Sequence, residues 1–197
     1  DWSSDVCSSD LYPQAPQSAD VEVRLAQQLD KLGEKQRAAE AYRDCWKRQP
    51  NANGRQHGER GAQLFSEVNN QTIADGATLL EDMFDKLPKD EYARHIGLRS
   101  FNEWRRISQW AKANQIGTKL VTTGVPFPVP EELREVHRLM GENFANIGQY
   151  ANAAESLKKA RAIREDAGVH YYQIERLYNA STKAAELEPV VNDYMAK

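Results

Sequence analysis

The sequence predicts an all-α chain assembled from helical hairpins, and three observations carry that reading. Good helix formers (Ala, Glu, Gln, Lys, Arg, Leu) dominate while Val and Ile are sparse. Apolar residues recur at spacings of three and four nearly throughout, the signature of one helix face. Gly and Pro punctuate these segments, so the helices are short and come in pairs.

The first stretch, DWSSDVCSSDL, has neither helical nor strand periodicity and no signal-peptide core. Over its whole length it resembles the translation of a common short-read sequencing adapter. Residues 1–11 are therefore expected to be an unstructured library scar fused to a truncated reading frame, which leaves localisation open. Asp1, Asp5 and Asp10 supply three of the 29 acidic residues; without them the acids equal the 26 Lys and Arg, and the formal net charge of −3 becomes zero. A neutral chain has no long-range field to steer nucleic acid or an anionic membrane. Removing Cys7 leaves Cys45 alone, too few cysteines for an internal disulfide. No apolar run approaches a membrane span.

From Ala19 onward, Val21, Leu25, Leu29 and Leu32 predict a helix ending at Gly33, and Ala38, Tyr42, Cys45 and Trp46 a second ending before Pro50. Helices are expected around Ala62–Asn69, Ile73–Leu87, Glu91–Leu98 and Phe101–Asn114, followed by a non-helical, Pro-rich insertion at 115–130, QIGTKLVTTGVPFPVP. The first grammar then returns: Val136, Met140, Phe144 and Ile147, a turn at Gly148, then Ala153, Leu157, Ala160 and Ile163. A third copy begins with Tyr171, Ile174 and Tyr178, and Pro189 is expected to open the last helix.

In LMGENFANIGQYANAAESLKKARAI, the residues Met140, Gly141, Phe144, Gly148, Tyr150, Ala153, Leu157 and Ala160 resemble the pattern of the tetratricopeptide repeat. Leu25, Ala26, Leu29, Gly33, Ala38, Tyr42, Cys45 and Pro50 resemble it at the front of the chain. The resemblance implies repeats at 19–52 and 134–167, a cap at 168–197, and degenerate central hairpins. The whole of 12–197 is expected to form one domain, a right-handed α-solenoid of stacked helix-turn-helix hairpins. Ala26, Ala38, Gly141 and Ala153 are small where helices must approach closely, and Glu175 replaces the small residue in the cap.

Stacked hairpins of this family curve around a concave groove lined by first-helix residues. By resemblance these are Gln27, Asp30 and Lys31 in the first repeat, Arg138, Glu142 and Asn146 in the later one, and Tyr172, Arg176 and Asn179 in the cap. The implied function is a non-catalytic scaffold binding a peptide or partner domain. The alternative is the sensor or docking part of a regulatory protein or enzyme whose active domain lay upstream. The carboxylate clamp of chaperone-binding relatives is disfavoured, because Val23, Gln27, Arg138 and Glu142 stand at its positions.

Other motifs read as structural. Phe101, Trp104, Ile107 and Ala111 share a helix face beside Arg105 and Arg106, which fits burial between hairpins better than nucleic-acid stacking. Phe127 is expected to plug a junction between hairpins, with partner binding as the alternative. His57, His95, His137 and His170 lack metal-ligand spacing, no cofactor motif is present, and Cys45 falls at a core position.

Overall fold

The turn that closes the first hairpin is written in the backbone as well as the sequence. Helix α1 (Pro16–Lys31) passes through Leu32 to Gly33, whose φ of +77° lies in the left-handed region. The amides of Gly33 and Glu34 bond back to Asp30 O and Leu29 O, each at 3.0 Å, before α2 (Lys35–Arg48) begins. The computed structural model describes residues 16–180 and 183–196, with side chains from Ala19 onward; the adapter-like stretch 1–11 lies outside the described residues.

The chain divides into two compact units, with the boundary between Pro88 and Lys89. In the first, α1 and α2 are followed by a 3₁₀ turn (Ala52–Gly54), α3 (Arg55–Val68) and α4 (Asn70–Lys86), each helix packing on the next. Trp46, Phe65, Ile73, Leu80, Met83 and Phe84 form its buried centre. The expected stripe of α1 is only partly buried. Ala26 and Leu29 face α2, but Val21, Leu25 and Leu32 stay 51%, 47% and 63% exposed, because α2 covers just one side of the helix.

Helix α3 starts well before the expected Ala62. Gly58 and Gly61 are weak helix formers, yet they are contact points: a Cβ on Gly61 would lie 3.2 Å from Ala39 O and from Tyr42 Cβ. Asn69 separates α3 from α4 by capping, its side chain accepting from the amides of Gln71 (2.8 Å) and Thr72 (3.0 Å).

The second unit holds α5 (Glu91–Arg106), α6 (Trp110–Thr122), α7 (Pro130–Asn146), α8 (Tyr150–Ile163), α9 (Ala167–Asn179) and α10 (Ala184–Met195), again packed in sequence. This redraws the expected boundaries. Glu91–Leu98 and Phe101 onward are one helix, and residues 115–122 of the expected loop are helical. Thr118, Thr122 and Thr123 have modest helix propensity, but their hydroxyls donate to the carbonyls four residues back at 2.7–2.8 Å. Phe101 and Trp104 are core residues, while Ala111 lies exposed on the following helix. The extended connection shrinks to 123–129. Arg94 holds it, donating to Pro126 O at 2.7 Å with its guanidinium 5.9 Å from the centre of the half-buried Phe127 ring.

The α5–α6 turn repeats the α1–α2 turn with Ser108 in place of glycine. Its φ is +58°, and the amides of Ser108 and Gln109 bond to Arg105 O and Trp104 O at 2.9 Å. Gly148, at φ +73°, makes the same turn between α7 and α8. A side chain in this conformation costs about 1–2 kcal/mol. Ser108→Gly is therefore expected to stabilise the chain by about 1 kcal/mol, while Gly148→Ala loses a similar amount. Paired thermal melts check both signs, and a destabilised S108G would refute the assignment.

Pro189 lies inside α10 rather than at its start, and no residue of that helix is buried. Helix α9 also differs from expectation: Tyr171 and Tyr178 are 55% and 73% exposed, whereas Val169, His170 and Gln173 are buried. Polar partners explain the rotation. Arg161 of α8 donates to Gln173 Oε1 at 2.6 Å, and His170 Nε2 donates to Val190 O of α10 at 2.9 Å.

Candidate functional site: a concavity between α7 and α9

Helices α7 and α9 both pack on α8 and leave a concavity of about 510 Å³ between them. Its floor is apolar. Gly141, Leu157 and Val169 line it, and the last two belong with Ala160 to a buried cluster. Gly141 sets the depth. A Cβ there would fall 2.8 Å from Leu157 Cγ, so the bare backbone lets α7 settle onto α8.

The walls are charged. Arg138, Glu142, Tyr172 and Arg176, each singled out from the sequence, line this one concavity with Arg134 and Asp166. Arg138 is committed within α7: it grips Glu135 through two bonds of 2.6 and 2.7 Å and also donates to Glu142. Those bonds hold its pKa above the ordinary guanidinium value and hold the Glu135 carboxyl below the ordinary range. Glu142 gives its second oxygen to Arg105 of α5 at 3.1 Å. Asp166 caps α9 by accepting from Val169 N at 3.0 Å and pairs with Arg134 at 3.1 Å; the amide bond, then Arg134, keep its pKa low.

Arg176 is placed differently. Its only described partners are Glu175, through Nη1 at 2.9 Å, and the Tyr172 ring, 6.0 Å from the guanidinium. The Nε and Nη2 edge is thus available to an incoming acceptor.

The other expected groove residues fall elsewhere. Asn146 is exposed but does not line this concavity, and Asn179 lines a separate depression near Gly148. In the first unit Gln27 and Lys31 are exposed, whereas Asp30 takes a bidentate bond from Arg60, both contacts 2.7 Å, which lowers its pKa. Arg134 and Asp166 were not foreseen. The signal was available in Asp166 as an N-cap three residues before Val169. Nothing local marks Arg134 as the group that pairs with it.

A second cluster gathers Glu165, His170 and Asp193. Arg161 already supplies its cation, donating to Glu165 at 2.9 Å and to Asp193 at 2.7 Å. The cluster thereby fastens α10, which lacks a buried face of its own. Cys45 is buried, and desolvation pushes its thiol up to about 11, which leaves it a poor nucleophile. Among the described residues no helix is long and apolar enough to cross a membrane.

No protein-family model and no curated protein matches the chain. Solved structures do. Nearly identical TPR-like repeats from a Podosopora anserina protein designated a kinesin light chain superpose with a TM-score of 0.53 at 13% identity, covering 93% of this chain and 96% of that one. MamA from AMB-1 gives 0.53 at 13% identity with 92% of each chain covered, and a further MamA structure gives 0.52 at 12%, covering 90% of this chain and 88% of that one. At these identities the likeness speaks to fold, and the fold is that of tetratricopeptide-repeat proteins.

Proposed function

We propose that the chain is a non-catalytic protein–protein interaction scaffold, holding a peptide or a segment of a partner domain between α7 and α9. The observation that carries this reading is the convergence of Arg138, Glu142, Tyr172 and Arg176 on a concavity of about 510 Å³ with an apolar floor. That volume suits one or two side chains of a bound polypeptide, and a tyrosine beside an arginine is a composition enriched at interaction hot spots. A polypeptide suits the site better than a nucleic acid does. The lining guanidiniums of Arg134 and Arg138 are engaged by carboxylates, so they do not form the open cationic track that a phosphate backbone requires.

The test is positional. Peptides selected from a random dodecapeptide library on the full chain should photo-crosslink to a Tyr172→p-benzoylphenylalanine variant and not to the same replacement at exposed Gln63. Crosslinking at both positions, or at neither, would remove the concavity as the binding site.

A further inference from the structure

We propose that the bound polypeptide presents an acidic side chain within two positions of an apolar one, and that Arg176 reads the acid while the floor of the concavity takes the apolar group. This inference rests on the scaffold reading above and adds the chemistry of its partner.

The argument follows from how the lining charges pair. Three guanidiniums and two carboxylates line the concavity. Arg134 pairs with Asp166, and Arg138 with Glu142. The two carboxylates are saturated further, Asp166 by the Val169 amide and Glu142 by Arg105, so neither is placed to attract a cationic partner. Arg176 remains. Glu175 occupies one Nη1 contact on it, which leaves the Nε and Nη2 edge for an external acceptor. That side-on edge is one through which a guanidinium takes a carboxylate with two parallel bonds. Its side chain is 22% exposed, desolvated enough for such a pair to count yet reachable from outside.

Tyr172 orients the fork. Its ring lies 6.0 Å from the Arg176 guanidinium, a cation–π arrangement that limits the rotamers the arginine loses on binding. Leu157 and Val169 offer an apolar seat in the same concavity. Adjacent side chains of an extended strand point to opposite faces, so an acid on the rim and an apolar group on the floor come from neighbouring or next-neighbouring residues.

A side-chain carboxylate is preferred to a chain terminus. Captured termini are held by several convergent donors, whereas here one fork is open. The experiment therefore uses library-selected peptides resynthesised with amidated C-termini and a fluorescent label, titrated by anisotropy against the full chain. The selected sequences should carry Asp or Glu within two positions of Leu, Ile, Met or Phe. Arg176→Gln should weaken them about tenfold or more, as expected for losing charge-assisted bonds, and Arg176→Lys should restore only part of the loss because a point charge lacks the fork. Circular dichroism melts confirm that both variants remain folded.

Selected peptides without acids, unchanged binding to Arg176→Gln, or loss of binding on amidation would each overturn the inference. If such peptides still crosslink at position 172, the scaffold reading survives and only the acid-reading role of Arg176 is lost. If crosslinking at 172 fails, the concavity itself is not the site.

Discussion

Trp46→Ala is expected to lower unfolding stability by about 4 kcal/mol, the usual scale for emptying a fully packed aromatic site. The indole is 0% exposed and sits at the centre of the first unit. It does two things at once. Its ring fills the space beside Gly54, where even a Cβ would come 3.3 Å from Trp46 Cε3, and its Nε1 donates to Asp82 of α4 at 2.7 Å. Removal leaves a cavity between α2 and α4 and deprives Asp82 of a donor, although Lys86 still pairs with it at 2.9 Å. Trp46→Phe separates the contributions, keeping most of the volume and losing the bond, for about 1–2 kcal/mol. Urea unfolding followed by circular dichroism provides both values. A Trp46→Ala loss below about 1 kcal/mol would mean that the ring does not organise this unit.

The sequence shows the fold wherever a position admits one type of residue, and hides it wherever chemistry can substitute. Gly33 and Gly148 announce their turns because a left-handed residue favours glycine. Ser108 makes the same turn without announcing it, and the α5–α6 boundary was misplaced as a result. The part of helix α6 beyond Asn114 was hidden for a related reason, since its threonines disfavour helix in isolation but satisfy their hydroxyls on its own carbonyls.

At the candidate site, the resemblance to the repeat family implied a surface shared by Arg138 and Glu142 of α7 with Tyr172 and Arg176 of α9, helix spacing put each pair on one face of its helix, and the four line one concavity. Neither could tell that Arg138 is committed and Arg176 is not. The Glu135 pair is local to α7, three residues back from Arg138, whereas the hold of Arg105 on Glu142 emerges only when α5 and α7 are placed side by side. The phase of α9 was misread on similar grounds. Tyrosines look like core and a histidine with a glutamine does not, yet Arg161 and the Val190 carbonyl make the polar pair the buried one.

Gly141→Leu is expected to cost about 3 kcal/mol, near the upper end for overpacking a filled interface. The position is a helix interior with ordinary backbone, where a larger residue would otherwise gain about 1 kcal/mol in helix propensity over glycine. Space decides against it. The first added carbon already meets Leu157 Cγ at 2.8 Å, Leu157 Cδ2 at 2.9 Å and the Ala153 carbonyl oxygen at 3.2 Å. Leu157 can rotate away, but the Ala153 carbonyl belongs to the α8 backbone and moves only with the helix. Leu157→Ala alone removes a 3% exposed side chain and should lose about 2–4 kcal/mol. The two losses are not independent. In the double variant the new leucine on α7 reaches into the space vacated on α8, so the combined cost should fall short of the sum by at least about 1 kcal/mol. Strict additivity in that cycle would show that Gly141 and Leu157 do not share a contact. The same variant reports on the site: Gly141→Leu, where folded, fills the floor between α7 and α9, so selected peptides should lose binding even though Tyr172 and Arg176 are untouched.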